Sequence, residues 1–265
     1  MKKKAMALSA VLCGTLLMSA CGNSEQKASG DSENKQEDIT LTVSAAASLK
    51  DALGEIEKKY EKEHPHVDLK FNFGGSGTLQ QQISQGAPVD LFFSAAEDKF
   101  DELVKEGEIN KEDGTDLIQN SLVLIAPKNS SLTSFEDLHN QKIEKIALGT
   151  PETVPAGEYG KQTLEKLSLW KDVESKVVYA KDVRQVLSYV ETGNVEAGIV
   201  YKTDALVSDK VKIIDTAKET SHDPIVYPLG VIKDSNHEKE AHDFYDYLQG
   251  KEAMNVLKEY GFTAK

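Results

Sequence analysis

Val43-Ser44-Ala45-Ala46-Ala47-Ser48-Leu49 is a strand-like run that breaks into small and polar residues and then opens a helix. Upstream of the break, residues 39–45 alternate and are rich in β-branched side chains, the pattern of a strand. Downstream, Leu49, Leu53, Ile56 and Tyr60 recur at helical spacing to about residue 63, so Ser48 is expected to cap that helix. Three more stretches repeat the pattern: Phe71-Asn72-Phe73-Gly74-Gly75-Ser76-Gly77-Thr78-Leu79, Leu148-Gly149-Thr150-Pro151-Glu152-Thr153-Val154-Pro155-Ala156-Gly157 and Val178-Tyr179-Ala180-Lys181-Asp182-Val183-Arg184. In an open α/β sheet such turns gather at the carboxyl ends of the strands, where ligands bind. Each offers first-turn N–H groups at the positive end of a helix dipole. Four such ends, rich in hydroxyls and with Lys181 the only lysine among them, predict a site for a small anion held by neutral donors.

Working outward, strands are expected at 67–73 and 89–94 and helices at 76–85 and 96–106, a βαβαβ order that implies a parallel sheet with right-handed crossovers. A buried-type strand at 121–126 leaves this unit. A second series follows: a helix near 135–138, strand 145–148, helix 156–167, strand 176–179, helix 183–192 and strand 197–201. Strands at 211–215 and 225–232 and helices at 238–249 and 252–260 complete the chain, with Phe244, Tyr245 and Leu248 suited to packing on a sheet. The fold class is α/β, in two lobes, each a mostly parallel sheet flanked by helices, joined by two hinge strands. Lobe I is expected to comprise residues 39–122 plus 225–265, and lobe II residues 123–224.

A chain of 265 residues can bury two modest cores, and a mean hydropathy of -0.43 with 28% charged residues fits a water-exposed body. The beginning differs: Lys2, Lys3 and Lys4 precede an apolar run at 5–17, the layout of a signal peptide, here placed at 1–20. Leu17-Met18-Ser19-Ala20-Cys21 resembles a bacterial lipobox, so Cys21 is expected to carry lipid. Residues 21–38 would then form a disordered linker, with the body on the extracytoplasmic face of the cell membrane. The only cysteines are Cys13 and Cys21, so the exported body has no disulfide. A net charge of -13, more negative once the leader's lysines leave, argues against nucleic acid and anionic lipid as partners. Arg184 is the only arginine, which argues against bidentate guanidinium clamps on phosphate. Six histidines show no metal-ligand spacing; His64-Pro65-His66 reads better as a solvated turn than as a metal site.

Around Ser76 three glycines let backbone amides approach a ligand closely. No GK[ST] follows, so this is not a P-loop, and Gln80 stands where a dinucleotide fingerprint needs its third glycine. A nucleophile elbow would need glycine at Thr78; a serine hydrolase using Ser76 with His222 and either Asp182 or Asp204 is the enzymatic alternative. Pro155 at the start of a helix leaves Ala156 N–H as a natural donor, and Asp182 as N-cap leaves Val183 N–H as the next free amide. Tyr201 ends a strand and could reach a ligand with its phenol. Arg184 could neutralise the anion, but is expected behind the site, paired with Asp182 or Glu152.

Taken together, and over almost the whole mature chain, these segments resemble the molybdate-binding protein family, the solute receptors of molybdate ABC importers. The resemblance implies a periplasmic-binding-protein-like fold of type II that closes over a tetrahedral oxyanion. The Ala-Ala-Ala-Ser-Leu motif places the first ligand serine at Ser48, and Gly-Ser-Gly-Thr-Leu places the second at Ser76. Backbone contacts are implied from Ala156 and Val183, and a phenol contact from Tyr201. Family members often carry serines where this chain has Gly75 and Gly77. The implied protein is a monomeric receptor with no catalysis, no cofactor and no direct metal ligands. Its ligand is molybdate or tungstate, and its partners are a membrane permease and the permease's ATPase. A fully deprotonated dianion needs donors only, whereas a protonated phosphate favours an acceptor; a sulfate or phosphate receptor is the alternative within binding proteins.

Overall fold

The computed structural model describes residues 38–265; the expected signal peptide, Cys21 and the linker up to residue 37 lie outside the described residues. The first sheet has six strands. Its central strand β1 (Ile39–Ala46) pairs in parallel with β2 (Val67–Gly74) on one side and β3 (Leu91–Phe93) on the other. The inner half of β1 is buried on both faces, so Val43, Ser44, Ala45 and Ala46 are all buried although the strand reads as an alternating pattern. Beyond β3, the strand β10 (Val226–Val231) runs antiparallel and separates it from β4 (Gly114–Gln119), which carries the short β11 (Thr263–Ala264) at the edge.

The second sheet has five strands in the order β7-β6-β8-β5-β9. They are β5 (Leu122–Pro127), β6 (Ile146–Gly149), β7 (Val177–Ala180), β8 (Ala197–Tyr201) and β9 (Val211–Thr216). Here β5 alone opposes the others. Both sheets are therefore mixed, which qualifies the mostly parallel expectation. The antiparallel strands β5 and β10 follow directly on the two passages of the chain between sheets, each re-entering a sheet from the side opposite to a βαβ crossover.

Helices cover both faces. On the first sheet, α2 (Ser76–Ser84) and α3 (Glu97–Glu106) bury Leu79, Ile83, Phe100 and Leu103 against Phe92. On the other face, α1 (Lys50–Glu63) joins α8 (Glu238–Gln249) and α9 (Lys251–Glu259), and Phe244 meets Tyr60 edge-on at 4.8 Å between centroids. His64 stacks on Tyr60 at 4.2 Å, so the His-Pro-His segment ends the helix as a packed turn. On the second sheet, α4 (Pro155–Lys166) packs Gly160 against Ile199, while α6 (Val183–Glu191) packs Val186 and Val190 against Gly198. Neighbouring residues of a strand face opposite ways, so α4 and α6 lie on opposite faces.

The sequence reading missed β4, β11 and the short helices α5 (Trp170–Val173) and α7 (Lys202–Leu206). In β4 only Ile118 is buried, so no alternating apolar pattern announces the strand. Among the described residues no helix is long and apolar enough to cross a membrane.

Candidate functional site

The ends of β1, β2, β6, β7 and β8 converge on one small chamber between the two sheets. Ser48, Ser76, Ala156, Val183 and Tyr201 all line it, along with Gly74, Gly75 and the apolar residues Ala95, Val154 and Pro155. The chamber holds about 10 Å³ of free space, close to the least that takes one water. No Lys, Arg, His, Asp or Glu side chain lines it. The roomier surface grooves, such as one of about 370 Å³ beside Phe100 and Lys111, are lined by charged surface side chains and bring no such set of donors together.

Each donor has a structural cause. Pro155 occupies the first turn of α4 and Asp182 caps α6 by accepting the Gln185 N–H at 2.8 Å. The first-turn N–H groups of Ala156 and Val183 find no acceptor among the described residues. Ser76 opens α2, and its Oγ accepts the Ala95 N–H at 2.9 Å, which leaves the hydroxyl proton to donate elsewhere. Tyr201 is fully buried and its Oη has no hydrogen-bond partner among the described residues. Burial pushes the Tyr201 phenol well above its ordinary range, so it remains a proton donor. An unpaired buried hydroxyl is costly, by about 1–3 kcal/mol, unless a ligand completes it.

Ser48 departs from expectation. It lies inside a 3-10 turn, Ala47–Leu49, and caps nothing; its Oγ is 2.9 Å from the Tyr227 Oη. The phenol competes successfully for the hydroxyl because both groups are buried away from water.

The glycines next to Ser76 do a different job from the close ligand approach expected of them. A Cβ on Gly75 would lie 2.7 Å from Thr153 O, and one on Gly77 would lie 2.9 Å from Thr153 Cα. The Gly77 N–H donates to Thr153 O at 3.0 Å. Close approach of the two lobes requires these glycines, and the Gly77 amide is spent on the contact between them.

Arg184 pairs with neither Asp182 nor Glu152. Its guanidinium bonds Asp51, at the start of α1, and Asp204 at 3.3 Å, in α7. Asp204 is fully buried; desolvation raises its carboxyl to about 7 against the pull of Arg184. The formal charges thus form a clasp across the lobes, outside the chamber. The hydrolase alternative fails on the same geometry. Asp204 is held by Arg184 and Asp182 by its helix, while the His222 ring sits on the Asp223 carbonyl beside Tyr159 and does not line the chamber. Among the described residues no cluster of metal-ligating side chains occurs.

Asn120 and Tyr227 escaped the sequence reading. Asn120 lies between β4 and β5 and bonds both Tyr227 and Thr203. An Asn at a strand end looks like any turn residue, so no local signal marked it.

Comparison with known proteins bears on the family and the fold. Residues 41–263 match the family model of the bacterial extracellular solute-binding protein. A Bacillus subtilis protein, provisionally named an ABC transporter substrate-binding lipoprotein, is 60% identical over 100% of both chains. The Escherichia coli molybdate-binding protein ModA is 41% identical, covering 85% of this chain and 89% of its own. The structure of the Azotobacter vinelandii periplasmic molybdate-binding protein superposes with a TM-score of 0.76 over 84% of this chain and 98% of that one, at 24% identity.

Proposed function

The chain belongs to the molybdate-binding protein family of bacterial extracellular solute-binding proteins, and from that premise we propose that it captures molybdate or tungstate in the chamber between its lobes. Like its family, it is a transport receptor and not an enzyme. The observation that carries the reading is the buried Tyr201 hydroxyl, unpaired and lining a chamber with no ionised side chain. Admitting a tetrahedral dianion requires the chamber to widen beyond its one-water space; the fully deprotonated anion then supplies acceptors to every donor there: the Ser48, Ser76 and Tyr201 hydroxyls and the Ala156 and Val183 amides. Hydrogen bonds to a charged acceptor contribute about 1.5–3 kcal/mol each. Donors come from both lobes, so the anion favours the closed arrangement in which all its bonds form.

Calorimetric titration of residues 38–265 with molybdate, tungstate, sulfate and phosphate tests this. Tight binding of the first two, with sulfate and phosphate weaker by at least about a hundredfold, is expected. Preference for sulfate or phosphate would replace the reading with the other oxyanion receptor.

The cellular setting follows the leader sequence. Lipid on Cys21 would hold the body at the extracytoplasmic face, from which it would deliver its anion to the permease and ATPase of an ABC importer. Cys21→Ser should move the protein from the membrane to the soluble fraction without altering anion binding. An unchanged membrane fraction would refute the anchor.

A further inference from the structure

We propose that Asn120 sets the oxyanion selectivity of the chamber by fixing, through Tyr227, the direction in which the Ser48 hydroxyl points its proton; this rests on the oxyanion reading of the chamber. The Asn120 amide is oriented by its own neighbour, because Oδ1 accepts the Ser121 N–H at 2.9 Å. Its Nδ2 therefore faces Thr203 Oγ1 at 2.9 Å and Tyr227 Oη at 3.2 Å. An amide nitrogen can only donate, so Tyr227 Oη accepts there. The phenol has one proton left, and burial, which raises its titration well above the ordinary range, keeps that proton on it.

Tyr227 is fully buried, so its proton cannot go to water. Ser48 Oγ at 2.9 Å is its hydrogen-bond partner, and Ser48 becomes the acceptor of that bond. The opposite direction would leave the phenol proton only the neighbouring Tyr201 Oη, whose contact with Tyr227 falls short of hydrogen-bond geometry. With one of its two lone pairs engaged by Tyr227, Ser48 keeps its own proton free to turn toward the chamber it lines. Ser76 is committed the same way by the Ala95 N–H. Both serines thus present protons to the ligand, and an oxyanion carrying a proton of its own meets donors where it needs an acceptor.

Asn120 also spans the passage between the sheets. Tyr227 belongs to the first sheet, and Thr203 lies in the first turn of the helix that follows the last strand residue, Tyr201, on the second. The same amide that orients Ser48 therefore ties the lobes at the point where the chain crosses.

The test is a double-mutant cycle on the body spanning residues 38–265. Asn120→Asp is nearly isosteric but offers an acceptor, which takes the Tyr227 proton, reverses the chain and makes Ser48 present a lone pair. Asn120→Asp should weaken molybdate binding by about thirtyfold, and narrow its margin over hydrogen phosphate by about tenfold. In a Ser48→Ala background the same substitution should weaken molybdate by no more than about threefold, the residue of its added charge. Tyr227→Phe breaks the chain without adding charge and should show the same dependence on Ser48. It carries the test if Asn120→Asp does not fold. Equal losses with and without Ser48, for whichever of the two variants folds, would overturn the proposal. A parent that binds none of the oxyanions would instead sink the reading of the chamber itself.

Discussion

Two neighbouring regions handle charge in opposite ways. The chamber lined by Ser48, Ser76, Ala156, Val183 and Tyr201 contains no ionised side chain, yet it faces the place proposed for a dianion. The clasp beside it concentrates charge, with Arg184 held between Asp51 on one lobe and the buried Asp204 on the other. Val183 and Arg184 are adjacent in sequence, so one helix start serves both regions, with its amide turned to the chamber and its guanidinium to the clasp. The comparison teaches a division of labour. Neutral donors with fixed directions need no counter-charge rearrangement when an anion arrives, while ion pairs across the lobes hold the closed arrangement.

The largest expected effect comes from breaking the approach that both regions share. Gly75 has an ordinary extended backbone, φ -69° and ψ 132°, so only space excludes a side chain there. Gly75→Ala places a methyl 2.7 Å from Thr153 O and should keep the lobes apart. Molybdate affinity should fall by more than about a hundredfold, while the melting temperature without anion moves by less than about 2 °C. Undiminished affinity would show that the chamber does not depend on this contact.

Next come the donors. Ser76→Ala and Tyr201→Phe should each weaken molybdate binding by roughly ten- to a hundredfold, read by calorimetry. They should differ in stability without anion: Ser76→Ala leaves the Ala95 N–H without its acceptor and lowers the melting temperature. Tyr201→Phe removes a hydroxyl that is unpaired already, so the melting temperature should hold or rise. A stability loss in Tyr201→Phe would mean that its hydroxyl has a structural partner.

The clasp should matter less to affinity. Arg184→Gln should weaken binding by less than about tenfold, because it loosens closure and removes no bond to the anion. A loss exceeding that of Ser76→Ala would mean that the guanidinium neutralises the ligand directly.

The smallest effect on binding is expected at Asp204, where the readout is pH. Its folded titration is raised to about 7, so between about pH 4 and 7 the folded chain keeps a proton that the unfolded chain has released. The native state is thus stabilised by protonation. Stability should fall as pH rises through that window, and the penalty is fully present above about 7. Asp204→Asn should flatten this slope in denaturant titrations between pH 4.5 and 8; an unchanged slope would assign it to other groups.

Much of the chamber was legible because each of its donors belongs to a short contiguous motif. The strand-to-helix turns around Ser76, Ala156 and Val183 were read from seven to ten consecutive residues, and α2, α4 and α6 start within a residue of the positions expected. Contacts made by distant residues were not legible. Ser48 looked like a cap because the small polar residue before a helix usually is one, yet Tyr227, 179 positions away, holds its hydroxyl. Arg184 was assigned to nearby carboxylates, but Asp51, 133 positions away, takes its guanidinium.

The sequence by itself determined the order of the longer strands and helices and the chemical type of each donor, because period, proline placement and capping residues act over a few neighbours. Only the tertiary structure decided which way the donors point. The Ser48 proton faces the chamber because Asn120 and Tyr227 occupy its other side. Gly75 and Gly77 are spacers because Thr153 presses on them from the second lobe. Arg184 is kept out of the chamber because two carboxylates from different lobes meet it elsewhere. Hydrogen-bond direction and charge placement depend on what the fold brings to a group from far along the chain, and no local pattern records that.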